Sequence, residues 1–156
     1  MEIEPRLILD EQVAFGFAHQ VVAMVINVSQ WSAIVADRLY NESTALTHAN
    51  PDTLVHVLGS IPNPVVRKRL ADRQKELDRR YETDVNREVA VVTDNAAMRG
   101  AVTALGWITG GHLRGFSSTR VDDGAAWLRT ESHKAQKIVE MYQECQRLIR
   151  EVAATP

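Results

Sequence analysis

A single cysteine, Cys145, is all that this chain of 156 residues carries. An internal disulfide is therefore excluded, and so is any multi-cysteine zinc site. Long apolar runs are missing too. The longest, Val21 to Ile26, has the length of a strand, whereas a membrane-spanning helix needs roughly 20 apolar residues. Neither sign of charge dominates: 18 Lys and Arg face 20 Asp and Glu, for a net charge of −2. That balance gives the chain as a whole no drive toward nucleic acid or an anionic membrane. The first residues, Met1-Glu2-Ile3-Glu4-Pro5, lack the basic start and apolar core of a signal peptide, so a cytoplasmic location is expected. Catalytic signatures are lacking as well. There is no Walker loop and no Gly-x-Ser-x-Gly elbow, and the five histidines show no HxH or HxxxH spacing. The sequence reads as a non-enzyme, with no catalytic residue, no metal ligand and no cofactor expected.

What is present is an ordinary folding composition, with 45% hydrophobic and 24% charged residues. The length suits one domain with a sizeable core. Val13, Phe15 and Phe17 alternate at period two, and Val21 to Val28 is a β-branched run of the kind buried on both faces of a sheet. Leu7 to Leu9 can start the first strand, with a turn or bulge at Glu11 and Gln12. Gly16 weakens its strand or permits a close neighbour. Ser29 is a plausible N-cap for a first helix that frays into a loop from Asn41 to Asp52. A strand over Thr53 to Leu58 follows, then a turn, and Pro64 fits the first position of a second helix. Residues 83 to 88 connect that helix to the stretch 89–128, which reads strand, helix, strand, helix. Gly110 is the expected left-handed stop of the third helix. Thr119 with Asp122 matches a capping box for the fourth. The order predicts an α/β fold: a mixed, mainly parallel sheet of about five strands flanked by helices, with a long C-terminal helix. Residues 1–130 are expected to form the α/β domain and 131–156 a helical extension.

Val89-Ala90-Val91-Val92-Thr93-Asp94, the run Met98-Arg99-Gly100-Ala101-Val102-Thr103-Ala104-Leu105, and Phe116 followed by Ala125-Ala126-Trp127-Leu128 together resemble the STAS-like (SpoIIAA-like) family of bacterial proteins, including its STAS/SEC14 branch. The resemblance is strongest from Val89 to Leu128. It implies a small cytosolic binding or signalling module, often switched by a partner kinase at a Ser or Thr opening the helix after the third strand. Where switched members carry an Asp-Ser-Ser-Gly-like motif, this chain reads Gly59-Ser60-Ile61-Pro62-Asn63-Pro64. Ser60 is thus the one hydroxyl available as a regulatory phosphosite, and with Asn63 it also suits a turn and a cap.

Other residues divide between structure and function. Asp94, after a strand and before a helix, is a candidate for a metal or polar ligand, but an ordinary cap explains it better. His56, between Val55 and Val57, reads as a structural histidine, Cys145 as a packed thiol and Trp127 as a buried anchor. Arg67, Lys68 and Arg73 belong to a basic helix that offers a surface to an acidic partner or, more simply, a solvated face of internal ion pairs. In the last helix Ile138, Tyr142, Cys145, Ile149 and Val152 recur at spacings of four, three, four and three, which predicts a seam. If the helix runs unbroken, the seam overhangs the sheet and favours a homodimer or docking of a partner; if it bends near Thr130 to His133, it folds back. The functional expectation is a non-enzymatic protein-interaction module in bacterial signalling or regulation. The alternative is a carrier of a small apolar ligand or lipid.

Overall fold

The computed structural model describes residues 1–81, 87–108 and 112–155, with side chains described outside 103–108. The elements run β1 (Ile3–Ile8), β2 (Val13–Ala18), β3 (Val21–Val28), α1 (Ala33–Thr47), β4 (Asp52–Gly59), α2 (Pro64–Arg80), β5 (Val89–Val92), α3 (Ala96–Ile108), β6 (Leu113–Phe116), a 3-10 turn (Ser118–Arg120), α4 (Val121–Leu128) and α5 (Ser132–Ala154). The six strands form one sheet in sequential order. β1 to β3 are an antiparallel meander, and β3 to β6 are parallel. Right-handed crossovers between sequential parallel strands place α1, α2 and α3 on one face. The chain after β6 supplies α4 and α5 to the other.

Strand alternation sorts the core into two layers. Leu9, Val13, Phe15, Phe17, Val22, Met24 and Ile26 pack with Leu39 of α1. Ala14, Ala18, Val21, Ala23 and Val25 pack with Ile138, Met141, Tyr142, Cys145 and Ile149 of α5. The second layer of β2 is all small, Ala14, Gly16 and Ala18, and this lets α5 lie close. A Cβ on Gly16 would sit 3.5 Å from the Met141 sulfur and 3.3 Å from Pro5 Cγ, so the glycine serves a close approach. Each large apolar side chain buried here contributes about 1.5–3 kcal/mol.

Several boundaries differ from the sequence reading. The sheet has six strands because three consecutive residues with positive φ, Leu9, Asp10 and Glu11, separate β1 from β2. Ser32 rather than Ser29 caps α1, accepting from Val35 N at 3.1 Å. That helix does not fray at Asn41. Its polar residues bond within the helix instead, Ser43 Oγ to Leu39 O at 2.5 Å and Thr47 Oγ1 to Ser43 O at 3.3 Å. The Thr119–Asp122 capping box does not form; Thr119 Oγ1 pairs with Ser117 Oγ at 2.9 Å, and α4 starts without a side-chain cap. Trp127 is half-buried, its ring 6.1 Å from that of Phe116. Gly110 and most of the 83–88 connection lie outside the described residues.

The largest correction concerns the C-terminal helix. It breaks at Arg129, whose backbone is extended, and resumes at Ser132. Arg129 explains the corner. Its guanidinium donates to Asp52 Oδ2 at 2.8 Å, His19 O at 3.0 Å and Gln20 O at 3.2 Å. His19 and Gln20 both have positive φ and form the two-residue loop between β2 and β3, a geometry that favours Asn-Gly. Arg129 therefore holds a strained hairpin turn and the α4–α5 corner with one side chain. From there α5 returns across the sheet. The seam of Ile138, Tyr142, Cys145 and Ile149 is buried within the domain, and Val152 is half-buried. Ile138, Tyr142, Cys145 and Ile149, expected as a partner surface, are taken up by the chain's own core. The buried side chains of the segment expected as a helical extension, 131–156, belong to the same core as the strands. Among the described residues no helix is long and apolar enough to cross a membrane.

Candidate functional site

In open parallel sheets ligand crevices form beyond the carboxyl ends of the strands, and the loops after β3, β4, β5 and β6 meet at this edge. The first two are tied together. Ser60 N donates to Val28 O at 3.1 Å, its hydroxyl lies 3.0 Å from Val28 O and 2.8 Å from Ser29 O, and Trp31 Nε1 donates to Ser60 O at 2.9 Å. Gly59 allows this with φ 70°; a Cβ there would come within 2.9 Å of Val28 O. Ser60, expected as the phosphosite, thus sits in a turn, three residues before Asn63, which caps α2 by accepting from Val66 N at 2.9 Å. A phosphoryl group on Ser60 would set its oxygens against two carbonyl oxygens and cut the link between β3 and β4.

The other two loops are joined by Asp94. Its Oδ1 accepts from Ser118 N at 3.0 Å, and hydrogen bonds from Ser118 hold the carboxyl below its usual range. The cap of α3 is the next residue, Asn95, which accepts from Met98 N at 3.0 Å. Asp94 is therefore a staple between loops. Among the described residues no group of three or more His, Cys, Asp or Glu is arranged to hold a metal. His19 and His133 do converge, ring centroids 6.0 Å apart, without completing such a group.

Beneath this edge, on the α5 side, lies a pair that the sequence did not reveal. His56 Nδ1 is 2.7 Å from the Tyr142 hydroxyl, and both residues are buried. Gln146 Nε2 donates to the same hydroxyl at 3.3 Å. Burial lowers the pKa of His56 and pushes the Tyr142 phenol up to about 12, so both are neutral at pH 7. A Tyr142 O–H donated to Nδ1 satisfies the chain and leaves the histidine proton on Nε2. His56 is thus a hydrogen-bonded structural histidine, as expected, but nothing in the sequence links it to a tyrosine 86 positions away. Cys145 is fully buried with its thiol raised to about 12 by burial, which suits packing and not nucleophilic attack.

On the opposite face α1 and α2 lie side by side in parallel register. Arg69 pairs with Asp37 at 2.8 and 2.9 Å, Tyr40 with Gln74 at 3.2 Å, and Arg73 with Asn41. Arg73, expected on a partner surface, also bonds Glu76 at 2.8 Å and is only 22% exposed, so its two terminal nitrogens are held within this internal network. Lys68 pairs with Asp72 at 3.0 Å but remains 80% exposed. Arg67 is exposed, and its side chain has no hydrogen bond or ion pair among the described residues. Ile34, one turn before Asp37, and Val65, one turn before Arg69, both lie on first turns of these paired helices. Ile34 is 73%, Val65 77% and Ile61, in the loop just ahead, 46% exposed. Three of the four large apolar side chains exposed among the described residues are therefore gathered at this carboxyl edge. Periodicity in the sequence does not reveal them, because an apolar residue at helical spacing reads as part of a buried face. No family model, curated protein or solved structure matches this chain.

Proposed function

We propose that this chain is a non-enzymatic protein-interaction module of STAS-like type, acting in bacterial cytoplasmic signalling or regulation. It docks a protein partner on the first turns of α1 and α2. The observation that carries the reading is the apolar group Ile34, Ile61 and Val65 at the sheet edge, flanked by the exposed cations Arg67 and Lys68. Bulky aliphatic side chains gathered in solvent next to charged neighbours are the composition of a docking patch. A lipid carrier has less support, since both sheet faces are filled by packed side chains. The test is Ile34→Glu/Val65→Glu in the native cell, with crosslinking and mass spectrometry. The double variant is expected to lose a partner that the parent retains, with an unchanged urea midpoint. Equal retention, or no partner on either, would overturn the reading.

A further inference from the structure

One cleft brings together two side chains of opposite charge that are not taken up in the surface ion pairs. The cleft, about 300 Å³, lies between α4 and α5 where they approach the carboxyl edge, on the face opposite the docking patch. Arg150 of α5 and Asp122 of α4 both line it. Among the described residues neither side chain makes a hydrogen bond or ion pair, with the other or with any neighbour. Asp122 sits in the first turn of α4, where the helix dipole favours an anion. Between them the lining is neutral and polar: the hydroxyls of Ser118 and Thr119, the Gln146 amide, and at the base the buried Tyr142 hydroxyl.

We propose that this cleft binds a small zwitterion of the α-amino-acid class, its carboxylate on Arg150 and its ammonium on Asp122. Two opposite charges held apart in one cleft match a ligand that carries both, whereas an anion or a cation alone would meet one of them as a like charge. A guanidinium fork fits a carboxylate. Asp122 accepts from an ammonium. Val121 and Val139 supply the apolar contact for the ligand's Cα and a short side chain. The floor is rigid, because Tyr142 is fixed from behind by His56 and from the side by Gln146, and Asp94 holds the Ser118 backbone. A pre-set polar floor lowers the ordering cost of binding.

The test is an NMR titration of the full ¹⁵N-labelled chain at pH 7 and fixed ionic strength. The probes are each of the common L-α-amino acids, with acetate and methylammonium as single-charge fragments. At least one amino acid is expected to shift the amides of Ser118, Thr119 and Gln146 saturably below about 20 mM, with the fragments at least about tenfold weaker. Arg150→Gln and Asp122→Asn, both at exposed positions, should each weaken binding about tenfold or more without moving the urea midpoint. Three results would overturn the proposal: no saturable shift with any amino acid, acetate or methylammonium binding as well as the zwitterion, or variants that bind like the parent.

Discussion

The two faces of the sheet are covered by different means. On one, α5 lays Ile138, Met141, Cys145 and Ile149 onto a floor of Ala14, Gly16, Ala18 and Ala23, and apolar contact does nearly all the holding. On the other, α1 packs Leu39 onto Phe15 and its neighbours, while α2 lies against α1 and buries only Val66 and Leu77. What joins α2 to α1 is a polar ladder, Asp37 to Arg69 and Arg73, Asn41 to Arg73, Tyr40 to Gln74. The difference teaches which face can carry function. A helix held by apolar burial has no side of its seam left over; a helix held by surface ion pairs keeps its apolar first turn free to meet something else.

The comparison breaks most visibly at the α5 seal. Ile138→Ala removes a fully buried side chain and should lower stability by about 2–5 kcal/mol in urea melts. An unchanged midpoint would mean that α5 does not close this face. Arg129→Ala, at the corner feeding α5, should cost about 1–3 kcal/mol, since it strips charge-assisted bonds from Asp52 and the hairpin carbonyls. Gln20→Gly should act in the opposite sense, relieving positive φ and gaining about 1 kcal/mol, most clearly when Arg129 is absent.

A pH series sharpens the same contrast. Burial sets the folded-state pKa of His56 below the ordinary 6.5. The folded chain then binds fewer protons than the unfolded chain between the two values. Stability from this group is full above about 6.5 and is lost as pH falls through that value toward the folded one. Asp94 moderates the shift and Arg150 reinforces it. His56→Gln should flatten this limb of the urea midpoint against pH; a parent with no slope there would remove His56 from the account. The smallest effect belongs to the other face. Arg69→Ala should shift the midpoint slightly, and less at high salt than at low, because its pair with Asp37 is solvent-screened.

How far the sequence reaches follows from what is local. The period-two alternation of Val13, Phe15 and Phe17, the β-branched run of β3, and Pro64 at a helix start are written in neighbouring residues, and the α/β architecture followed from them. The α5 stripe was legible as a stripe, but its target was not. Its heptad spacing is the same whether it meets a second chain or its own sheet, and only the Arg129 corner decides. That corner depends on carbonyls about 110 positions upstream. The candidate site was hidden for the same reason. Ile34 and Val65 come to one edge only through the pairing of α1 with α2, and Asp122 and Arg150 share a cleft only because α4 packs on α5.

The place of α5 in the chain also sets a clock on synthesis. β2 and β3 leave the ribosome early, and their hairpin can form at once from neighbouring residues. The helix that covers one side of that hairpin lies far downstream. At about 5–20 residues per second, the roughly one hundred residues from Val28 to Ser132 take on the order of 5–20 s to emerge. Throughout that interval the strip of Ala14, Ala18, Val21, Ala23 and Val25 stands open to water on the nascent chain. A chaperone, or a neighbouring nascent copy, has that long to reach it before α5 arrives.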